Sequence, residues 1–438
     1  MISLRFESVL QTGISIAGRQ YEFLGFSHSS LRAHAVWFMA PFDDDTGDSQ
    51  TCIKVISDLG EFSGIQSPAR CAARIGQAFS ETPFSISLEE FGAEVENIED
   101  VTFKNGPGSE RVFSDGVGTI SRDLMEEIQL ILPQKRNPPT CLQIRWAGAK
   151  GMLAQDDNSP SMTIRIRPSM NKFESKDKQN LEICDMANKP IPLVLNRQMI
   201  KILEDMGCSE EWFADIQDRE VARLCKITAY VHNTVEFLRH QKIAAPIRFS
   251  QLIRRLHSLG LDYKRDKFLR SVVEAVVLRE LRLLKHRARI PVDEGVTLFG
   301  IMDEYKFLRE GEVFITFDDV PGTVRTGFSN LHGRKVLLTR SPALHPGDIQ
   351  IARAVVPPKD HPLRSLSNCV VFSQKGKRDL PSQLSGGDLD GDIFNIIWDE
   401  DAVESCTRVF EPADYPRVNP IRIGRNVTPQ DMTKFFVQ

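Results

Sequence analysis

No two of the eight cysteines, at 52, 71, 141, 184, 208, 225, 369 and 406, form a CxxC pair, so neither a zinc knuckle nor a dithiol redox motif is encoded. Scattered thiols in a chain of 438 residues read as buried groups kept reduced, which places the expectation inside the cell, with nucleus and cytoplasm equally open. The opening residues, MISLRFE, lack the apolar run of a secretory leader, and no stretch of 18 apolar residues occurs, so no membrane is expected as a partner. A global excess of positive charge is also missing: the net charge is −4 and the pI about 6.2. Any surface for a polyanion must therefore be local. What remains is an ordinary globular balance, 41% hydrophobic and 26% charged, long enough for several domains.

Against this plain background one stretch stands out, Ser385-Gly386-Gly387-Asp388-Leu389-Asp390-Gly391-Asp392, followed by an apolar run over 393–398. Alternate residues of an extended chain share a side, so Asp388, Asp390 and Asp392 are expected to present their oxygens to one point, reachable from solvent. Three close carboxylates repel one another unless a cation sits among them. An all-oxygen, trianionic set suits a hard divalent ion, Mg²⁺ first, with Mn²⁺ and Ca²⁺ behind it. An EF-hand is disfavoured: its loop wants Gly at the sixth position and Glu at the twelfth, where this chain has Ile393 and Asp399. An acidic surface turn is the plain alternative.

In chain order, 1–135 reads as mixed α/β, with strands at 19–26 and 33–39. Helices are expected over 67–79, capped by Ser67, and from 121, capped by Ser121. Asp115-Gly116-Val117-Gly118 between them reads as a turn. A polar connector at 134–140 leads to strands at 141–146, 152–155 and 162–167, interleaved with Arg145, Lys150, Arg165, Arg167 and Lys172. Such a basic face is either a solvated sheet edge or a phosphate-binding wall. Residues 196–290 read as helical: one helix through 206, one over 209–239 and one over 268–287. Within it, 240–290 holds 13 Lys/Arg against 4 Asp/Glu, a surplus of nine positive charges suited to a nucleic-acid backbone. Strand runs dominate 291–400 again, with a type II turn expected at His345-Pro346-Gly347-Asp348 and a basic turn at Lys375-Gly376-Lys377-Arg378. Closely spaced strands without long helices between them indicate a small closed barrel. Thr428-Pro429-Gln430-Asp431 opens a helix that is too short to stand unless it docks on the body or continues into a further domain.

The run CVVFSQKGKRDLPSQLSGGDLDGDIFNIIWD (369–399) resembles the catalytic segment of the cellular RNA-dependent RNA polymerases of RNA silencing, with fungal-type members nearest in pattern. LTRSPALHPGDIQIARAV (338–355), RIPVDEGVTLFGIMDE (289–304), QIRWAGAKGML (143–153), IRPSMNKFES (166–175), EFLGFSHSSLR (22–32) and FSDGVGTIS (113–121) extend the likeness over nearly the whole chain. The resemblance implies an α+β core of two double-psi β-barrels joined by a helical connector. It divides the chain into an N-terminal region (1–135), a first barrel (136–195, with flanking strands), the connector (196–290), a catalytic barrel (291–400) and the start of a C-terminal helical head (401–438). It implies that Asp388, Asp390 and Asp392 ligate Mg²⁺, and that Lys150 and Lys172 face the incoming nucleotide, with Arg145, Lys375 and Arg378 as lesser candidates. The implied partners are a single-stranded RNA template, nucleoside triphosphates and proteins of the silencing pathway. Two other readings compete: a metal-dependent nuclease using the same acids, and a catalytically impaired chain that binds RNA as a scaffold.

Overall fold

The computed structural model describes residues 2–104, 110–133, 138–241, 243–318, 328–415 and 418–437; the 134–140 connector falls partly outside them. Two seven-stranded sheets form its centre. The first contains β1 (Phe84–Ser87), β2 (Glu94–Asn97), β3 (Val117–Ser121), β4 (Cys141–Trp146), β5 (Ala149–Asp156), β6 (Thr163–Ile166) and β7 (Asn180–Met186). Their order is β1-β7-β4-β5-β3-β6-β2, open among the described residues, with β3 parallel to β5 and β6 parallel to β2. Three of these strands precede residue 136, so this sheet begins well inside the expected N-terminal region.

The second sheet contains β8 (Ile191–Val194), β9 (Pro291–Met302), β10 (Glu312–Thr316), β11 (Lys335–Arg340), β12 (Ile349–Ala354), β13 (Cys369–Phe372) and β14 (Ile393–Ile397). Here β9, β13, β10, β12, β11 and β14 follow one another, and β14 returns to pair with β9, closing a six-stranded barrel. Residues 191–194 fall within the segment 136–195 assigned from sequence to the first barrel, and they form a strand. It pairs with β9 instead, because Leu193 is buried among Met199, Ile290 and Ile397 beside the second barrel. Closure leaves the barrel strands without free edges, which gives the loop before β14 a rigid support.

The sheets share a core. Val117, Cys141, Met152 and Ala154 of the first pack in one cluster with Phe314, Phe372, Phe394 and Trp398 of the second. Polar contacts reinforce that seam. The nearly buried Arg167 donates to Glu304 through both terminal nitrogens (3.0 and 2.8 Å) and to the Val117 carbonyl at 2.7 Å. The Tyr305 hydroxyl donates to Asp156 at 2.7 Å.

The connector is helical, but the single helix expected over 209–239 is two, Glu210–Lys226 and Val231–His240. The buried Thr234 hydroxyl bonds the Ile227 carbonyl at 2.8 Å across the break. Residues 345–348 form a 3₁₀ turn and not a type II turn, since His345 and Asp348 satisfy each other's backbone in a capping box. Helix Pro429–Val437 docks: Met432 is buried with Phe23, Phe26 and Ile75, against helices Ile2–Thr12 and Pro68–Gly76. No helix among the described residues is long and apolar enough to cross a membrane.

Candidate active site

The acidic loop lies between β13 and β14, entered through the short helix Leu380–Gln383, whose first turn is capped by Asp379 accepting from the Ser382 N–H at 2.8 Å. It is not extended. Ser385 (φ 54°), Gly386 (φ 62°) and Gly391 (φ 120°) turn the backbone back on itself. The Asp388 N–H donates to Asp392 Oδ2 at 3.0 Å. The alternation expected of a strand therefore fails within the loop. The acids are also more enclosed than their glycine-rich setting implied, Asp390 and Asp392 retaining side-chain exposures of 15% and 17%.

The first sheet supplies the enclosure. The Leu389 N–H donates to the Asp115 carbonyl at 2.8 Å, and Gln143 Nε2 donates to the Asp390 carbonyl at 3.3 Å. Gly116 (φ 88°) lies so close that a Cβ there would sit 2.5 Å from the Asp390 Cβ. The stretch 115–118, read from sequence as a turn, is thus the seat on which the acidic loop rests. Its position is fixed by Ser169, whose hydroxyl accepts from the Gly116 N–H (3.2 Å) and donates to Asp100 (2.7 Å).

Lys150, on β5, donates to Asp390 Oδ2 at 2.8 Å, and Arg340, at the end of β11, pairs with Asp392 Oδ2. Electrostatics separate the acids. Asp388 is pushed up to about 8 by burial and by the carboxylates of Asp390, Asp392 and Asp115. Burial acts on Asp390 in the same sense, yet the ammonium groups of Lys150 and Lys172 hold it below the usual carboxylate value. One acid of the group is therefore strained as an anion while its neighbour is held charged.

The remaining candidates divide. Lys172 is near enough for its charge to act on Asp390, and its Nζ donates to the Ser169 carbonyl at 2.6 Å. Arg145 stands directly opposite Lys150 in the β4–β5 register and so shares its face, but it donates to the Ile144 carbonyl at 2.8 Å. Lys375 and Arg378 are not brought to the acids by any bond they make. The Lys375 ammonium donates to the Lys306 carbonyl, while Arg378 donates to the carbonyls of Ser382 (2.7 Å) and Ala413 (2.9 Å). Arg378 is half-buried, and its guanidinium finds acceptors in the 412–413 backbone. Sequence reading missed Asp115, Gly116, Gln143 and Arg340. Only the SDG turn at 114–116 gave any signal, and nothing in it points to residue 389.

Among the described residues no three His, Cys, Asp or Glu side chains are arranged as a metal cage. The donor set nonetheless fits a hard divalent cation. It consists of carboxylates alone, and their mutual repulsion, visible in Asp388, is what such an ion relieves.

The sequence profile of the family described as RNA dependent RNA polymerase matches residues 1–438. RNA-dependent RNA polymerase 1 of Arabidopsis thaliana is 33% identical over 434 residues, 99% of this chain and 37% of that protein. A probable RNA-dependent RNA polymerase 1 of rice is 32% identical over 437 residues, covering 99% and 55% of the two chains. RNA-dependent RNA polymerase 1 of Schizosaccharomyces pombe is 27% identical over 419 residues, covering 90% and 32%. The structure of the RNA dependent RNA polymerase QDE-1 from Thielavia terrestris superposes with a TM-score of 0.74 at 23% identity, over 94% of this chain and 48% of that one. That likeness carries the double-psi barrel fold. The chain spans roughly a third to a half of the length of the curated relatives it matches.

Proposed function

Because this chain belongs to the RNA-dependent RNA polymerase family, we propose that its acidic loop catalyses template-directed nucleotidyl transfer, making RNA complementary to a single-stranded RNA template in RNA-mediated silencing. The observation that carries this reading is the meeting of the two sheets: Lys150 of one bonds Asp390 of the other at 2.8 Å, within a cluster of three acids. Cation and carboxylates side by side are what a triphosphate and its metal require.

Asp388, Asp390 and Asp392 would hold Mg²⁺, for which Mn²⁺ is the natural substitute. When bound, the ion supplies Lewis-acid activation of the attacking 3′-hydroxyl and neutralises charge on the phosphoryl oxygens. Lys150 and Lys172 add positive charge for the triphosphate, with Arg145 on the same face as Lys150. Arg340 holds Asp392, and the Asp115–Gly116 seat with Gln143 holds the loop, so the acids are fixed from both barrels. Base choice comes from pairing with the template, so no side chain need read sequence. The basic surface of 240–290, where Arg254, Arg255, Arg282 and Lys285 are exposed, suits template or product. Silencing-pathway proteins are the partners this reading calls for, within nucleus or cytoplasm.

The test is incorporation of labelled nucleotides on a single-stranded RNA template in Mg²⁺, run beside Asp390→Ala. Lengthened RNA with the parent chain and none with the variant, both folded, is the expected result. Shortening of labelled RNA would identify a nuclease. Binding without incorporation at any Mg²⁺ or Mn²⁺ level would identify a scaffold.

A further inference from the structure

A second basic site lies beyond Lys172. A cavity of about 380 Å³ has Gln66, Ser67, Arg70, Arg74, Lys172 and Arg422 in its lining, the rest of which is uncharged. Four of these residues are cationic and none is acidic, in a chain whose net charge is −4. The cations come from three separate segments. Arg70 and Arg74 lie on helix Pro68–Gly76, and Lys172 follows the 3₁₀ turn Pro168–Met170. Arg422 is delivered by a backbone bond from the Ile423 N–H to the Gln66 carbonyl at 3.0 Å. Like charges gathered from distant parts of a chain repel one another, and such an arrangement persists best where an anion occupies its centre.

The second observation is Ser67. It stands at the N-cap of that helix, where its hydroxyl would ordinarily accept from the first turn, but it makes no such bond. The residue is 3% exposed, and its Oγ is buried without a hydrogen-bond partner among the described residues. A buried hydroxyl left idle is costly unless a ligand uses it. Pro68 removes one N–H from the first turn, and the next two N–H groups of a helix have no partner within it. Hydroxyl, helix dipole and cations therefore converge on one space.

We propose that this cavity is a phosphate-binding seat, engaging a phosphate carried either by an RNA strand or by a free nucleotide. It deepens the polymerase reading and rests on it only for the identity of the phosphate carrier. Lys172 links the two sites: it lines the seat and also exerts its charge on Asp390. Its ammonium spends one of three donors on Ser169, leaving two for phosphate oxygens. A strand leaving the acidic loop past Lys172 would lay its next phosphates here.

The test measures binding to the full chain in EDTA, where no incorporation occurs, by anisotropy for a labelled octaribonucleotide and by calorimetry for ATP and inorganic tripolyphosphate. Three variants are compared with the parent: Arg70→Gln/Arg422→Gln, Ser67→Ala, and the control Arg5→Gln/Arg19→Gln, which removes the same charge from exposed positions elsewhere. If the seat holds a strand, the Arg70/Arg422 double variant weakens the oligonucleotide at least tenfold. Its slope of log K against log salt falls by roughly 1.4, about 0.7 for each lost phosphate contact. Ser67→Ala weakens binding about fivefold, the worth of one hydrogen bond. If the seat holds a nucleotide, ATP and tripolyphosphate show these losses and the oligonucleotide does not. Losses no larger than the control's for every probe would overturn the proposal. If the parent chain binds the oligonucleotide through the seat, with the losses expected of the variants, yet incorporates no nucleotide in Mg²⁺ or Mn²⁺, the polymerase reading alone would fall.

Discussion

Replacing Gly116 by Ala tests whether the seat under the acidic loop is as tight as its geometry implies. Two costs apply. Gly116 has φ 88°, where an L side chain is strained by about 1–2 kcal/mol. The new Cβ would also lie 2.5 Å from the Asp390 Cβ, 2.7 Å from its nitrogen and 2.8 Å from its Cα. Carbon atoms rest at about 3.5–4.0 Å, so the loop must retreat by about 1 Å or the turn before β3 must yield, at about 1–3 kcal/mol. The sum is a loss of about 2–5 kcal/mol. Gly47 isolates the first cost, since it has φ 86° but nothing within 4 Å of its would-be Cβ. Gly47→Ala should therefore lose only about 1–2 kcal/mol and leave incorporation unchanged. A 1 Å displacement of reacting groups costs about 100-fold in rate, so Gly116→Ala should also slow nucleotide incorporation by about that factor. Urea unfolding and single-nucleotide incorporation measure the two effects. Equal stability losses for the two variants, with incorporation by Gly116→Ala within about twofold of the parent, would refute the reasoning.

Arg167→Met removes the bidentate partner of Glu304 at the seam and should cost about 3–5 kcal/mol in urea unfolding, because it leaves a buried carboxylate unpaired. Burial already pushes Glu304 up against the pull of Arg167, so the folded variant binds a proton more readily than the unfolded chain; its stability should fall further as pH rises from 5 to 8. Asp123 is held well below the ordinary value of 3.8 by the hydroxyls of Ser121 and Ser161, with the Met162 N–H assisting. That contribution is full above the ordinary value and is lost as pH falls below it, so Asp123→Asn should flatten the acid limb of a stability–pH profile between about pH 4 and 2 and leave pH 7 to 8 parallel to the parent.

What sequence could and could not reveal follows from the range of the interactions. The strand Cys141–Trp146 was legible to the residue, since it carries its own alternation and turn signals. The break near 227–230 was not, because apolar spacing runs on through a gap closed by the Thr234 hydroxyl. Ser67 and Ser121 both looked like caps, yet neither caps. Ser121 accepts instead from the Thr163 N–H of a neighbouring strand, at 3.1 Å, a competition no local pattern discloses. The three aspartates announced themselves, but their conformation did not: glycine permits an extended loop and a folded one alike, and Asp115 and Gln143 decide between them from outside.

The pairing of Lys150 with Asp390 spans 240 positions, and its origin lies in how the two sheets are built. Each sheet contains two parallel pairs, β3 with β5 and β2 with β6 in the first, β9 with β13 and β10 with β12 in the second. Parallel neighbours require crossover connections, and crossovers send loops across the mouth of a barrel instead of along its rim. The 115–116 turn enters β3 and the acidic loop enters β14, so both stand at strand entrances, where one can lie on the other. The shared apolar core then fixes their distance: Val117 and Met152, directly beside the seat, pack in the same cluster as Leu389 of the acidic loop and Phe394 of β14. A site assembled this way is rigid on both sides before any ligand arrives. The acids and Arg340 belong to one barrel, while Lys150, Lys172 and the seat under the loop come from the other sheet, so changes that loosen the seam should act on chemistry even where they touch no catalytic group. Arg167→Met is the sharpest case: if the seam positions the site, the folded variant should lose incorporation out of proportion to its unfolded fraction at low urea. Rates that merely track the folded population would show that the barrels hold their loops independently.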